Sequence, residues 1–109
     1  SKDDVIKVDP EVHKTESYDI LSHLEDGRKR YIEVKGHIGL KAYAVLTPNE
    51  YELAQMLGDD YYLHLVMNLH LDEYEEVDTT RAVLLEFRNP LKTMRVRDTG
   101  GEKRYILFP

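Results

Sequence analysis

Residues 47–70 read TPNEYELAQMLGDDYYLHLVMNLH, and a change of period inside this stretch decides the fold. Thr47 stands as an N-cap, Pro48 occupies the first helical position, and Glu50 lies three residues past the cap. This is a capping box with the proline that suits a helix start. Tyr51, Ala54 and Leu57 share one face, Leu53 lies beside it, and Gly58 closes the helix. From residue 61 the period falls to two. Leu63, Leu65, Met67 and Leu69 point one way, and Tyr62, His64, Val66, Asn68 and His70 the other, as in a strand half-buried in a sheet.

Upstream, YDILSHL (18–24) and RKRYIEVK (28–35) read as strands joined at EDG (25–27), so they pair as a hairpin. Gly36 and Gly39 loosen the chain before a third strand, LKAYAVL (40–46). Residues 1–16 are polar and broken by Pro10, with Val5, Ile6 and Val8 able to form a short strand or arm. Downstream, DEYEEVD (72–78) is an acidic loop. AVLLEF (82–87) reads as a strand, with a helix from Thr80 as the alternative, and Asn89-Pro90 ends it. TGGE (99–102) is a turn, and RYILF closes the chain as a short strand. The result is an α/β (α+β) fold: a mixed sheet, one flanking helix, one domain. The crossover through the helix makes the third and fourth strands parallel neighbours if they share a sheet.

The chain has 109 residues, no cysteine and a net charge of −6. Disulfides and cysteine metal sites are excluded, and the lack of cysteine fits a reducing, intracellular setting, cytoplasm or nucleoid. No apolar run is long enough to span a membrane. The opening SKDD, without methionine, reads as a segment of a longer protein. Charge alternates along the chain. Residues 1–27 and 48–80 are acidic, the latter with nine carboxylates and no Lys or Arg, whereas 28–47 and 81–109 each carry a net +4. If the basic segments meet in space, one face suits a polyanion; otherwise they form a mixed, solvated surface.

YIEVKG (31–36) places an acid and a base on one strand face, since Glu33 and Lys35 are two residues apart. Ile32 and Val34 take the other face, expected to be the packed one. Asp19 begins the preceding strand, so hairpin pairing brings its carboxylate towards Glu33. Two such carboxylates favour a hard divalent cation, Mg²⁺ or Mn²⁺. A lysine beside them can orient a water or steady the charge of a phosphoryl transition state. The plainer alternative is an exposed Glu–Lys pair at a sheet edge. Glu50 serves the capping box or reaches towards this site. His37 follows Lys35 closely, whereas His64 and His70 are too far apart on one strand to share a metal. Arg28, Lys29, Arg30 and Lys41, and further on Arg95, Arg97, Lys103 and Arg104, are candidate phosphate contacts.

Three stretches together, SYDILS (17–22), RYIEVKG (30–36) and LTPNEYELA…GDDYYLHLV (46–66), resemble the domain found at the C-terminus of the plant NO VEIN protein. Similar domains occur in archaeal and bacterial helicases of the Swi/Snf type. The resemblance extends to PD-(D/E)xK, or restriction-endonuclease-like, nucleases. It implies an αβββαβ core in which Asp19 and Glu33 hold the metal, the Val34 carbonyl is a further ligand, and Lys35 is the catalytic lysine. It also implies action on DNA beside a helicase or motor domain in the same chain. The further glutamate often carried by a helix ahead of the first strand has only Glu11 or Glu16 as counterparts here, in a segment holding Pro10. Two functions follow as expectations: a metal-dependent nuclease, or a non-catalytic DNA- or protein-docking module that keeps the fold.

Overall fold

A computed structural model describes residues 4–7 and 19–109, the first group by its backbone alone. The elements in chain order are β1 (Asp4–Lys7), β2 (Ile20–His23), β3 (Lys29–Ile38), β4 (Ala44–Leu46), α1 (Pro48–Leu57), β5 (Tyr61–Leu71), β6 (Val77–Asp78), β7 (Val83–Arg88), α2 (Pro90–Thr93), β8 (Arg95–Asp98) and β9 (Tyr105–Phe108). Val5 and Ile6 thus lie in a strand; Val8, Glu11 and Glu16 fall outside the described residues.

The strands form two sheets. The larger runs β1-β2-β3-β5, after which β5 pairs with β7 through Tyr62–Met67 and with β6 through His70–Leu71. The smaller has the order β4-β9-β8. β3 and β5 are parallel, and every other pairing is antiparallel. The sheet is therefore mixed, as the sequence implied, but the parallel neighbours differ. The third strand shrinks to β4 and joins the second sheet, so the crossover through α1 makes β3, not β4, the parallel neighbour of β5. The stretch expected at 82–87 forms strand β7 (Val83–Arg88) rather than a helix.

The helix forms as its caps dictate. The Thr47 hydroxyl accepts from the Glu50 amide at 3.2 Å and the Glu50 carboxylate accepts from the Thr47 amide at 2.8 Å. Ala54 is buried and Tyr51 stacks on Tyr105 with ring centroids 3.7 Å apart, which fixes α1 against the smaller sheet.

Leu63, Leu65 and Met67 meet Ala44, Leu46 and Leu107 between the two sheets, with Met94 beside them. Burial of this set is the main apolar driving force of the fold. The register pairs Glu33 with Leu63 and Lys35 with Leu65, so the acid and the base lie on the face that carries the main core. This corrects the expectation that the Ile32/Val34 face is the packed one. β3 is an interior strand covered on both sides: Ile32 is buried with Tyr62 and Ser22, and the Arg30 and Arg88 guanidinium groups lie over the Tyr62 ring. Val34 and Leu69 are only half-buried. Leu69 sits beyond a register shift between Gly36 and Ile38, and a Cβ on Gly36 would come within 3.1 Å of its Cδ1. The glycine makes room for that leucine.

Candidate functional site

The hairpin of β2 and β3 builds the first half of the site. Its turn closes with the Leu24 amide donating to the Arg28 carbonyl at 2.8 Å. Pairing of Ile20 with Ile32, carried one residue further, sets Asp19 opposite Glu33 on the same face. The Asp19 amide donates to the Ile32 carbonyl at 2.9 Å, and its Oδ2 accepts from the Val34 amide at 2.8 Å. The Asp19 carboxylate is thus pinned at the end of the hairpin, hydrogen-bonded as well to the Glu33 carboxyl.

The crossover supplies the second half. Lys35 Nζ donates to both oxygens of Glu50, at 3.0 and 3.1 Å, and stands 3.5 Å from Glu33 Oε2. Glu50 therefore caps α1 and holds the lysine at once; the two roles read as alternatives in the sequence are performed together.

Electrostatics set the protonation of this cluster. Glu33 is 3% exposed. Its burial, and then the Glu50 charge, push its pKa up to about 9, with Asp19 adding to the rise and Lys35 opposing it. Burial alone would lower Lys35, but the hydrogen bond to Glu50 and the charges of Glu33 and Glu50 outweigh it and raise its pKa above the usual lysine value. At neutral pH Glu33 keeps its proton, so Lys35 pairs with Glu50. Asp19 then leaves one uncompensated negative charge in the cluster. A divalent cation taking the place of the Glu33 proton would leave none.

Tyr61 was not singled out from the sequence. It opens β5, is fully buried, and its phenol is raised chiefly by burial and then by the charges of Glu33, Glu50 and Asp19. It belongs to the floor of this cluster. The only signal was an aromatic at the first strand position after the crossover helix.

Other candidates lie elsewhere. Arg30 sits on the opposite sheet face, 3.4 Å from the Ser22 hydroxyl and 3.8 Å from Glu86. Arg28 pairs with Asp60 at 3.4 Å, and Lys29 opens β3 opposite His23. Lys41 is exposed in the segment leading to β4. His64 meets Glu86 at 2.7 Å on the face away from the cluster. His37 stacks on Tyr43. Among the described residues, no group of three or more histidine, aspartate or glutamate side chains is gathered to enclose a metal ion. The donor set that is present, two carboxylates hydrogen-bonded to each other beside a lysine, fits an ion that retains waters, as Mg²⁺ does. No described helix is long and apolar enough to cross a membrane.

Fold and cluster together define a mixed-sheet α+β domain with a buried carboxylate–lysine centre at the end of a hairpin. The family model described as Protein NO VEIN, C-terminal, matches residues 1–80, and the chain belongs to that family. The chain is 28% identical over 93 residues to Protein NO VEIN of Arabidopsis thaliana, a match covering 84% of this chain and 3% of that protein. No solved structure matches. Asp19, Glu33, Lys35, Glu50 and Tyr61 all fall inside the family match, whereas β7, β8 and β9 lie beyond it.

Proposed function

We propose that this chain is a metal-dependent nuclease domain of the PD-(D/E)xK kind, acting on DNA inside a longer, intracellular DNA-processing protein that carries a helicase or other motor. The observation that carries the reading is the convergence of Asp19, Glu33 and Lys35 on one sheet face, around a carboxyl whose burial raises its pKa. Asp19 and Glu33 would hold Mg²⁺ or Mn²⁺. The Val34 carbonyl lies on the strand edge that its amide presents to Asp19, since both backbone groups of a strand residue point to one side. When bound, the cation supplies Lewis-acid polarisation of a phosphodiester. The protein's own groups do the rest. Glu33 would release its proton to solvent on taking up the cation, as its raised pKa requires. Asp19 is held in place by the Val34 amide. Lys35, oriented by Glu50, offers its ammonium to a phosphoryl oxygen or to the attacking water.

A second reading, a docking module that keeps the fold without turnover, draws on one observation: Lys35 is already engaged by both Glu50 oxygens. Calorimetric titration of Mn²⁺ into wild type, Asp19→Asn and Lys35→Ala, with a nuclease assay on each, separates the two. The nuclease reading expects binding with proton release at pH 8, loss of most affinity in Asp19→Asn, and retained binding without cleavage in Lys35→Ala. Equal Mn²⁺ binding by wild type and Asp19→Asn, or none by either, rejects it in favour of the docking module.

A further inference from the structure

The smaller sheet turns one face to the core and the other outward. Pairing of Arg95 with Phe108 and of Arg97 with Ile106 puts these four side chains on the outward face. With Lys41 and Tyr43 they line an open groove of about 650 Å³. Its lining side chains include three cations and no acidic group, with Pro109 closing one end, in a chain whose net charge is −6. Arg95 is immobilised: its guanidinium lies 4.8 Å over the Phe108 ring and donates to the Pro109 carbonyl at 2.9 and 3.2 Å. The side chains of Lys41 and Arg97 have no hydrogen bond or ion pair among the described residues. Cations gathered without counter-charge repel one another and suit a ligand that brings several negative charges in a row. Aromatic rings between them suit flat bases.

The groove also leads somewhere. Tyr43 stacks on His37, centroids 4.7 Å apart and planes 21° from parallel, and His37 follows Lys35 by two residues along β3. An exposed aromatic thus joins the basic groove to the carboxylate–lysine cluster.

We propose that this groove is the track of a single nucleic-acid strand. Lys41 and Arg97 hold successive phosphates, Tyr43 stacks a base, and the strand runs over the His37–Tyr43 step towards Lys35. Its direction towards Lys35 rests on the nuclease reading; the binding itself does not. A single strand is favoured over a duplex because the recognition elements are stacking rings beside cations, and bases inside a duplex do not offer their faces.

The test is fluorescence anisotropy of a labelled oligothymidylate of about twelve nucleotides, in EDTA, with the 109-residue chain and exposed-site variants that keep the wild-type melting curve. Lys41→Glu/Arg97→Glu is expected to lower affinity at least about tenfold and to reduce the slope of log K against log salt by about 1.4. Tyr43→Ala is expected to lower affinity about tenfold while leaving that slope unchanged. Lys92→Glu, on α2 and outside the groove, makes a single charge reversal of the same kind and should leave binding near wild type. No binding by wild type, equal binding by the double variant, or an equal loss per reversal in Lys92→Glu overturns the proposal. Mn²⁺-dependent cleavage unaffected by the groove variants would sink the groove and leave the nuclease reading standing. Groove-dependent binding without any Mn²⁺-dependent cleavage would do the reverse.

Discussion

Replacing Glu33 with glutamine should stabilise the chain at neutral pH, and the gain should grow with pH. The Glu33 carboxyl has its pKa raised from the ordinary 4.5 to about 9 by burial and by the Glu50 and Asp19 charges. The folded chain then keeps a proton that the unfolded chain releases. Stability from this group is fully present below pH 4.5, declines through the window between 4.5 and about 9, and is lost above it. Within the window the slope is about 1.4 kcal/mol per pH unit for one proton. At pH 7 the folded state has therefore lost on the order of 3 kcal/mol relative to acid. Glutamine has the same shape, keeps a donor for Asp19, and carries no such proton. Glu33→Gln should match wild type near pH 4.5 and exceed it by about 3 kcal/mol at pH 7, which is more than about 10 °C in melting temperature for a domain of this size. Urea unfolding of both proteins at pH 5, 7 and 9, in EDTA, measures the gap. Parallel pH profiles, with a constant difference between the two proteins, would refute the reasoning, because they would show that Glu33 does not hold a proton on folding.

Three further outcomes are expected. Thr47→Ala should cost about 1 kcal/mol in denaturant unfolding through loss of the cap, and should also loosen Lys35, visible as a lower ammonium pKa by NMR, because Glu50 serves both. Gly58→Ala should cost about 1–3 kcal/mol, since the position has φ 52° and ψ −114°, a region open essentially to glycine alone. Leu65→Ala, at a position with no exposed surface, should cost about 2–5 kcal/mol by thermal melting.

The periods and punctuation of the chain carried its local structure. The capping box at Thr47–Glu50 and the alternation of 61–70 sit in α1 and β5 with boundaries shifted by one residue. Hairpin counting across EDG was enough to bring Asp19 to Glu33. Which strand becomes the parallel neighbour of β5 was not legible, because residues 40–46 carry the same alternation whether they extend the first sheet or leave it. Only the partner supplied by β9, far along the chain, decides that β4 leaves. The same uncertainty hid the orientation of β3. An acid and a base next to apolar residues mark a solvent-facing side when one face is buried, and here both are. Glu50 was legible as a cap, since a cap is local; its grip on Lys35 depends on the crossover and was not.

β5 is the strand with three partners: β3 on one edge, β7 and then β6 on the other, with the backbone turning through a positive φ at Asn68 where the second edge changes partner. The pairings with β3 and β7 join segments separated in sequence, whereas β6 folds back as a local hairpin, and the parallel pairing must wait for β4 and α1 to be threaded in between. Folding of this domain is therefore governed by non-local closure and should be slow for its length. During synthesis, until β7 emerges, β5 exposes an unpaired edge beside Leu63 and Leu65, so the nascent chain passes through a stage in which its most apolar strand is open to mispairing.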